Sequence, residues 1–371
     1  MKNTTNSLLA AMLLGSALVQ NPAHAGNGTP INAASADPMT MAVFGDWPYS
    51  QELLGAAPLL IASINDDPKV RLVMHVGDIH SGSMPCTGAG LDPLPATAEP
   101  AWNRGIFDLF AQFRDPLVYT PGDNEWSDCH KKKEGASGYP RNELAALRSL
   151  FFATPGYTLG GRGKQVLSQA QAWDPAHSAG AQFVENVMWE QSQVVFATFN
   201  MPGGSNDDRS PWSAPFSDPA AQAQEYTERD AANLRWLQRT FGQAEADGAK
   251  AVVIGLQADM WDSEAIAPGG AGLDNYTPFV QALADLAVAF GRPVLLLNGD
   301  SHKFEADQPL ADPTTALGMI HATQAVPNLT RITVQGANNT PREWLRLTID
   351  PRTPQVFTWQ NVVYCDGTTC P

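Results

Sequence analysis

Basic residues are scarce: 23 Lys and Arg stand against 38 Asp and Glu, a formal net charge of −15. A surface this acidic repels nucleic acid and anionic lipid headgroups, so neither is expected as a partner. Cysteine is also sparse, at four residues with no CxxC pair, which argues against a thiolate zinc or redox motif. Beyond the N-terminal region nothing approaches 18 uninterrupted apolar residues, so no membrane-spanning helix is expected. No GxSxG follows that region and no HExxH occurs, which leaves serine-hydrolase and zincin chemistry without their usual signatures. There is no internal repeat.

What is present suits a large buried core. The 371 residues include ten Trp and fifteen Phe, with 43% hydrophobic residues, enough for one large α/β domain or two ordinary ones. The first 25 residues read as a secretory signal: Lys2, the apolar stretch "SLLAAMLLGSALV", then the small-residue site Ala23-His24-Ala25. The mature chain is expected to start near Gly26, periplasmic or secreted, as a single domain over 26–371. Four Cys in an exported chain suggest two disulfides, with three pairings possible. A local clip between Cys365 and Cys370 is the simplest choice, leaving Cys86 with Cys129.

Apolar, β-rich runs alternate with amphipathic helical stretches, which predicts an α/β fold with parallel strands. Strands are expected at 40–46, 70–78, 116–123, 193–200, 250–256 and 293–300, and helices at 51–64, 99–113, 141–151, 219–247 and 277–290. The runs "LTRITVQG", "EWLRLTID" and "QVFTWQNVVY" follow without a helix and are expected to pair antiparallel at a sheet edge. Residues 155–190 fit no element and read as a long insertion.

Four of the six strand runs end in Gly-Asp: Asp46, Asp78, Asp123 and Asp300. Ligands of open α/β sheets collect beyond the carboxyl ends of strands, so these carboxylates are expected to converge, with His302 of "GDSH" beside them. Four bare carboxylates repel one another unless protons or cations neutralise them, and metal is the economical answer. The loop "YTPGDNEWSDCH" (119–130) adds Asn124, Glu125, Asp128 and His130. Glu125 and Asp128 are expected to orient that loop.

The blocks "FGDWPY", "VGDIHS", "TPGDNEW", "VIGLQADMW" and "NGDSHKF" resemble, in order, those of the calcineurin-like metallophosphoesterases, a superfamily that includes the purple acid phosphatases. The resemblance runs over roughly 38–305. It implies a four-layer α/β/β/α sandwich around two divalent metal ions. Asp46 and His302 would serve the first metal and Asp78 would bridge both. Asp123 would serve the second, and Gln257 and Asp300 would stand among the metal-binding residues. Asp123, Gln257 and Asp300 stand where the family has Asn, His and His, and Asn124 stands at the catalytic His. Replacing nitrogen by oxygen favours Mn, Mg or Ca over Fe or Zn. The implied reaction is hydrolysis of a small phosphate ester by a metal-bound hydroxide, because cations lower the pKa of bound water from 15.7 to about 7. Asn124 supplies no proton near neutral pH, so His80 or His130 would protonate the leaving group, or the enzyme would favour esters with good leaving groups. The alternative is a non-catalytic descendant that binds a metal or a phosphate compound.

Overall fold

Strand β1 (Met39–Phe44) is buried at every position, the pattern of a strand covered on both faces. In the computed structural model, residues 35–207, 211–367 and Cys370 are described; the expected leader at 1–25 lies outside them. β1 runs parallel to β2 (Val70–His75), which runs parallel to β3 (Leu117–Tyr119). On its other side β1 meets β11 (Arg342–Ile349) antiparallel, and β11 continues into the edge strand β12 (Phe357–Cys365).

A second sheet contains β4 (Leu167–Ser168), β5 (Val187–Gln191), β6 (Val194–Thr198), β7 (Ala251–Gly255), β8 (Val294–Asn298), β9 (Glu305–Asp307) and β10 (Leu329–Thr333). The order is β4-β5-β6-β7-β8-β10-β9. Its central strands β6, β7, β8 and β10 are parallel. Both sheets are mixed, and the class is α/β.

Helices α1 (Gln51–Gly55), α2 (Ala57–Asn65), α3 (Trp102–Phe110) and α4 (Pro140–Phe151) pack Leu60, Ile106 and Leu147 onto Ala42, Val73 and Leu117 of the first sheet. Helices α5 (Pro219–Ala246) and α6 (Thr277–Phe290) set Trp236, Leu237 and Leu283 against Val252, Ile254 and Leu296 of the second. Asp218 caps α5 by accepting from the Ala221 N–H, with Pro219 in the first turn. A third apolar cluster takes Val43, Met74 and Leu347 from the first sheet and Phe196, Val253 and Leu297 from the second. The two sheets therefore face one another across it.

One expectation is corrected. The run at 329–336 does not join the other two C-terminal runs. β10 lies in the second sheet, parallel to β8, and only β11 and β12 form an antiparallel hairpin on the first. The residues between β8 and β10 leave room for β9 and a short helix, α7 (Ala316–Ile320), enough chain for a crossover back to a parallel position. Buried Arg331 is accommodated there by Asp259, Asp307 and Glu305. Within 155–190, β4 and β5 extend the edge of the second sheet.

Candidate metal centre

The strands β1, β2, β3 and β8 deliver Asp46, Asp78, Asp123 and Asp300 to one place. The backbone knits these strand ends together: Asp46 N donates to Gly77 O (2.9 Å), and Gly299 N donates to Gln257 O (3.0 Å). Asp46, Asp78, Asp300 and His302 all take left-handed conformations, with φ of 48°, 60°, 75° and 62°. Such geometry costs of order 1–3 kcal/mol per residue and collects at functional sites.

At the first group stands a residue the sequence reading did not single out. The Tyr49 hydroxyl lies 3.0 Å from Asp46 Oδ1, 3.0 Å from Asp78 Oδ2 and 2.9 Å from His302 Nε2. One phenol proton can serve only one of these neighbours, so the group is short of donors. Asp46 Oδ2 is buried with no hydrogen-bond partner. The ligating atoms of Asp46, Asp78 and His302 lie within 4.8 Å of one another and could hold a metal ion. The signal was in "FGDWPY", where Tyr49 follows Asp46 by three residues around a turn.

The second group surrounds Asp123. Its side chain contacts that of Asp78, and its Oδ1 accepts from Gln257 Nε2 (3.0 Å). Gln257 Oε1 in turn accepts from Gly203 N at 2.5 Å. A Cβ placed on Gly203 would lie 2.8 Å from both Asp123 Oδ2 and Asp300 Oδ1, so these two carboxylates flank the bare backbone of Gly203. Asp300 N donates to Asp46 Oδ1 (3.1 Å), joining the groups. Nothing in the sequence marked Gly203, because its approach depends on how the 202–207 loop folds over the strand ends.

Asn124 serves the cluster through Asp78: its Nδ2 donates to Asp78 Oδ2 (2.8 Å) and its N–H to Oδ1 (3.3 Å). Glu125 Oε1 accepts from Gly122 N (2.7 Å), the Tyr119 hydroxyl (2.7 Å) and Asp78 N (3.2 Å). Asp128 pairs with Lys131 and Lys133. Through these contacts Glu125 ties the loop to Asp78 and Tyr119, and Asp128 ties it to the two lysines.

The two histidines considered as proton donors point elsewhere. His80 Nδ1 meets Ser81 O (3.1 Å), and its Nε2 lies 3.9 Å from Cys86 Sγ. His130 Nδ1 accepts from Ser213 N (3.0 Å). Neither imidazole bonds to the carboxylate cluster. Each is buried, and burial pulls both down to about pKa 4, so both are neutral at pH 7. Their position in sequence did not fix which way the rings turn, and packing turned them outward.

Burial and mutual repulsion dominate the electrostatics. Burial pushes Asp46 up to about 6 against the pull of His302. Asp78 and Asp300 rise well above the usual carboxylate range, first through burial and then through the charge of Asp123. Asp123 rises through burial and the charge of Asp128. This concentration of oxygen donors, with one imidazole and one buried oxygen lacking a partner, fits a hard divalent cation.

Cys86–Cys129 and Cys365–Cys370 are disulfide-bonded, with Cα separations of 5.7 and 5.8 Å, as the sequence suggested. The bridges suit an oxidising compartment. No helix among the described residues is long and apolar enough to cross a membrane.

No family model matches the chain, and no curated protein matches its sequence. One similar solved structure is described as "GAP50 the anchor in the inner membrane complex of Plasmodium". It is 10% identical, with 88% of this chain and 89% of that chain covered and a TM-score of 0.44. That likeness is too distant to assign a family or an activity.

Proposed function

We propose that the protein is a metal-dependent phosphoesterase, exported to the periplasm or beyond, that hydrolyses a small phosphate ester at a two-cation site in a metallophosphoesterase-type α/β/β/α sandwich. The observation that carries this reading is the meeting of four strand-end carboxylates, with the Tyr49 hydroxyl between Asp46 and Asp78, Asp123 and Asp300 flanking Gly203, and one buried Asp46 oxygen left without a partner. Asp46, Tyr49 and His302 would hold one cation, Asp78 would be shared, and Asp123, Gln257 and Asp300 would hold the other. When bound, such a pair supplies an acidified water and the positive charge that holds phosphate oxygens.

The rest is the work of this chain's own groups. Asn124 fixes the orientation of Asp78 through two N–H donors. Gln257 keeps its amide between Asp123 and Gly203 N. Hydrogen bonds that hold a cation's ligands in place typically alter metal affinity by roughly 10–100-fold. His80 and His130 are turned away and the cluster's own imidazole, His302, would be taken up by a cation, so the leaving group departs without a free imidazole acid, which favours alcohols of low basicity.

Elemental analysis of protein purified without chelators, combined with hydrolysis of p-nitrophenyl phosphate and bis-p-nitrophenyl phosphate in Mn, Mg or Ca, tests the proposal. Bound cation with turnover supports it. The outward histidines specifically favour one competing reading, a non-catalytic cation or phosphate binder, which bound cation without turnover would select. Protein with neither cation nor turnover would end the hydrolytic reading, and the absence of inorganic phosphate binding as well would end the other.

A further inference from the structure

Beside Asp300 lies a cavity of about 220 Å³ that the two-cation reading leaves unused. Its wall holds Ser205, Asp259, Asp262, Glu264, Tyr276 and Asp300, with no basic side chain among the described residues that line it. Asp259 is already engaged: it accepts from Arg331 (2.6 Å) and from Ser301 Oγ (2.7 Å). Asp262 is half-buried and Glu264 exposed, and these two supply negative charge at the wall with no ion-pair partner among the described residues. Ser205 gives the independent sign of a ligand. Its side chain is 2% exposed, and its Oγ is buried with no hydrogen-bond partner. A buried hydroxyl without a partner forfeits the hydrogen bonds it makes in water.

We propose that this cavity receives a protonated primary amine carried on the substrate's leaving group. The proposal rests on the hydrolytic reading above and narrows its substrate class to aminoalkyl phosphate esters. A primary ammonium has three N–H donors, which suits the Ser205 oxygen together with the Asp262 carboxylate. A quaternary ammonium offers none. Because Asp300 belongs to both the carboxylate cluster and the cavity wall, an ester whose phosphate sits at the cluster has its alcohol portion beside the cavity. An ammonium near the ester oxygen also stabilises the departing alkoxide by its charge, in keeping with the lack of a free imidazole acid at the cluster.

Two measurements on the full protein test this. The first is turnover of O-phosphoethanolamine against propyl phosphate, which replaces the ammonium by a methyl group of similar size. The kcat/KM ratio is expected to favour the amine by about tenfold or more, the scale of a charged hydrogen bond. Asp262→Asn combined with Glu264→Gln is expected to bring the ratio towards one, and Ser205→Ala to lower it. The second measurement needs no catalysis: binding of propylammonium followed by NMR, expected to saturate in the wild type and to weaken severalfold in both variants. Equal turnover of the two esters, or no saturable propylammonium binding, overturns the amine pocket. If propylammonium binds in an Asp262-dependent way while neither ester is hydrolysed, the pocket stands and the hydrolytic reading falls.

Discussion

The Tyr49 hydroxyl stands 3.0 Å from Asp78 Oδ2, although 29 residues and a full strand separate them in the chain. The contact joins the end of β1 to the end of β2 at the point where a cation would sit. Tyr49→Phe keeps the ring and removes the oxygen. It should weaken the tighter cation site by roughly 10–100-fold while leaving the circular dichroism spectrum unchanged, as read by calorimetric titration with Mn. Unchanged affinity would confine Tyr49 to a packing role.

Asp78→Asn and Asp300→Asn should each lower cation content, with Asp78→Asn the more severe because that carboxylate touches Tyr49, Asn124 and Asp123. Asp128→Asn should lower it little, since Asp128 spends its charge on Lys131 and Lys133. In cation-free protein the first two changes replace buried carboxyl groups that are costly to ionise and should not reduce the melting temperature. Full cation content in both would refute the convergence of the strand ends on a metal site.

Gly122→Ala should be poorly tolerated. A Cβ there would lie 2.0 Å from Asp78 Oδ1 and 2.6 Å from its backbone nitrogen, and overpacking of this sort costs about 1–3 kcal/mol. Gly105→Ala is the control: on α3, with nothing within 4 Å of the added carbon, it should be neutral or stabilise by up to about 1 kcal/mol through helix propensity. Urea denaturation of the two variants should move in opposite directions or, at the least, differ clearly.

Replacing both Cys86 and Cys129 by Ala should destabilise by about 3–4 kcal/mol in the chain-entropy account, because the bridge closes a sequence separation of 43. The same change at Cys365 and Cys370, separated by 5, should cost less. Loss of the first bridge also frees the loop that carries Asp123, so cation affinity should fall with it. Equal stability losses from the two pairs would contradict the loop-length argument.

Acidity should act on the cation-free protein in the direction opposite to ordinary acid denaturation. Asp46 at about 6 and Glu125 at about 7 hold protons more tightly folded than unfolded, both chiefly through burial. The stability they contribute is complete below the unfolded carboxylate range and is lost as pH rises through about 6 to 7. The melting temperature of chelator-treated protein should therefore fall from pH 5 to pH 8. Added Mn or Mg should restore it most at the higher pH, where the carboxylates are free to bind. A flat profile without cation would show that these carboxylates do not share the burial described.

The sequence by itself determined the elements and what stands at their ends. Apolar runs such as "AVVIG" and "VLLLN" form strands because their side chains are buried on both faces, and Gly-Asp marks where those strands stop. An even cysteine count with a short C-terminal spacing likewise brought out the two bridges. These are local signals, carried by neighbouring residues. Tertiary packing decided the rest. Tyr49 meets Asp78 only because β1 and β2 are laid side by side, and Gly203 reaches Asp300 only because the 202–207 loop folds over the ends of the strands. His80 and His130 turn away because their rings pack against Cys86 and Ser213. β10 lies beside β8 because a crossover of sufficient length returns it there, which its own residues do not encode. The direction of a side chain and the partner of a strand are set by what is packed against them, and those partners lie far away in sequence.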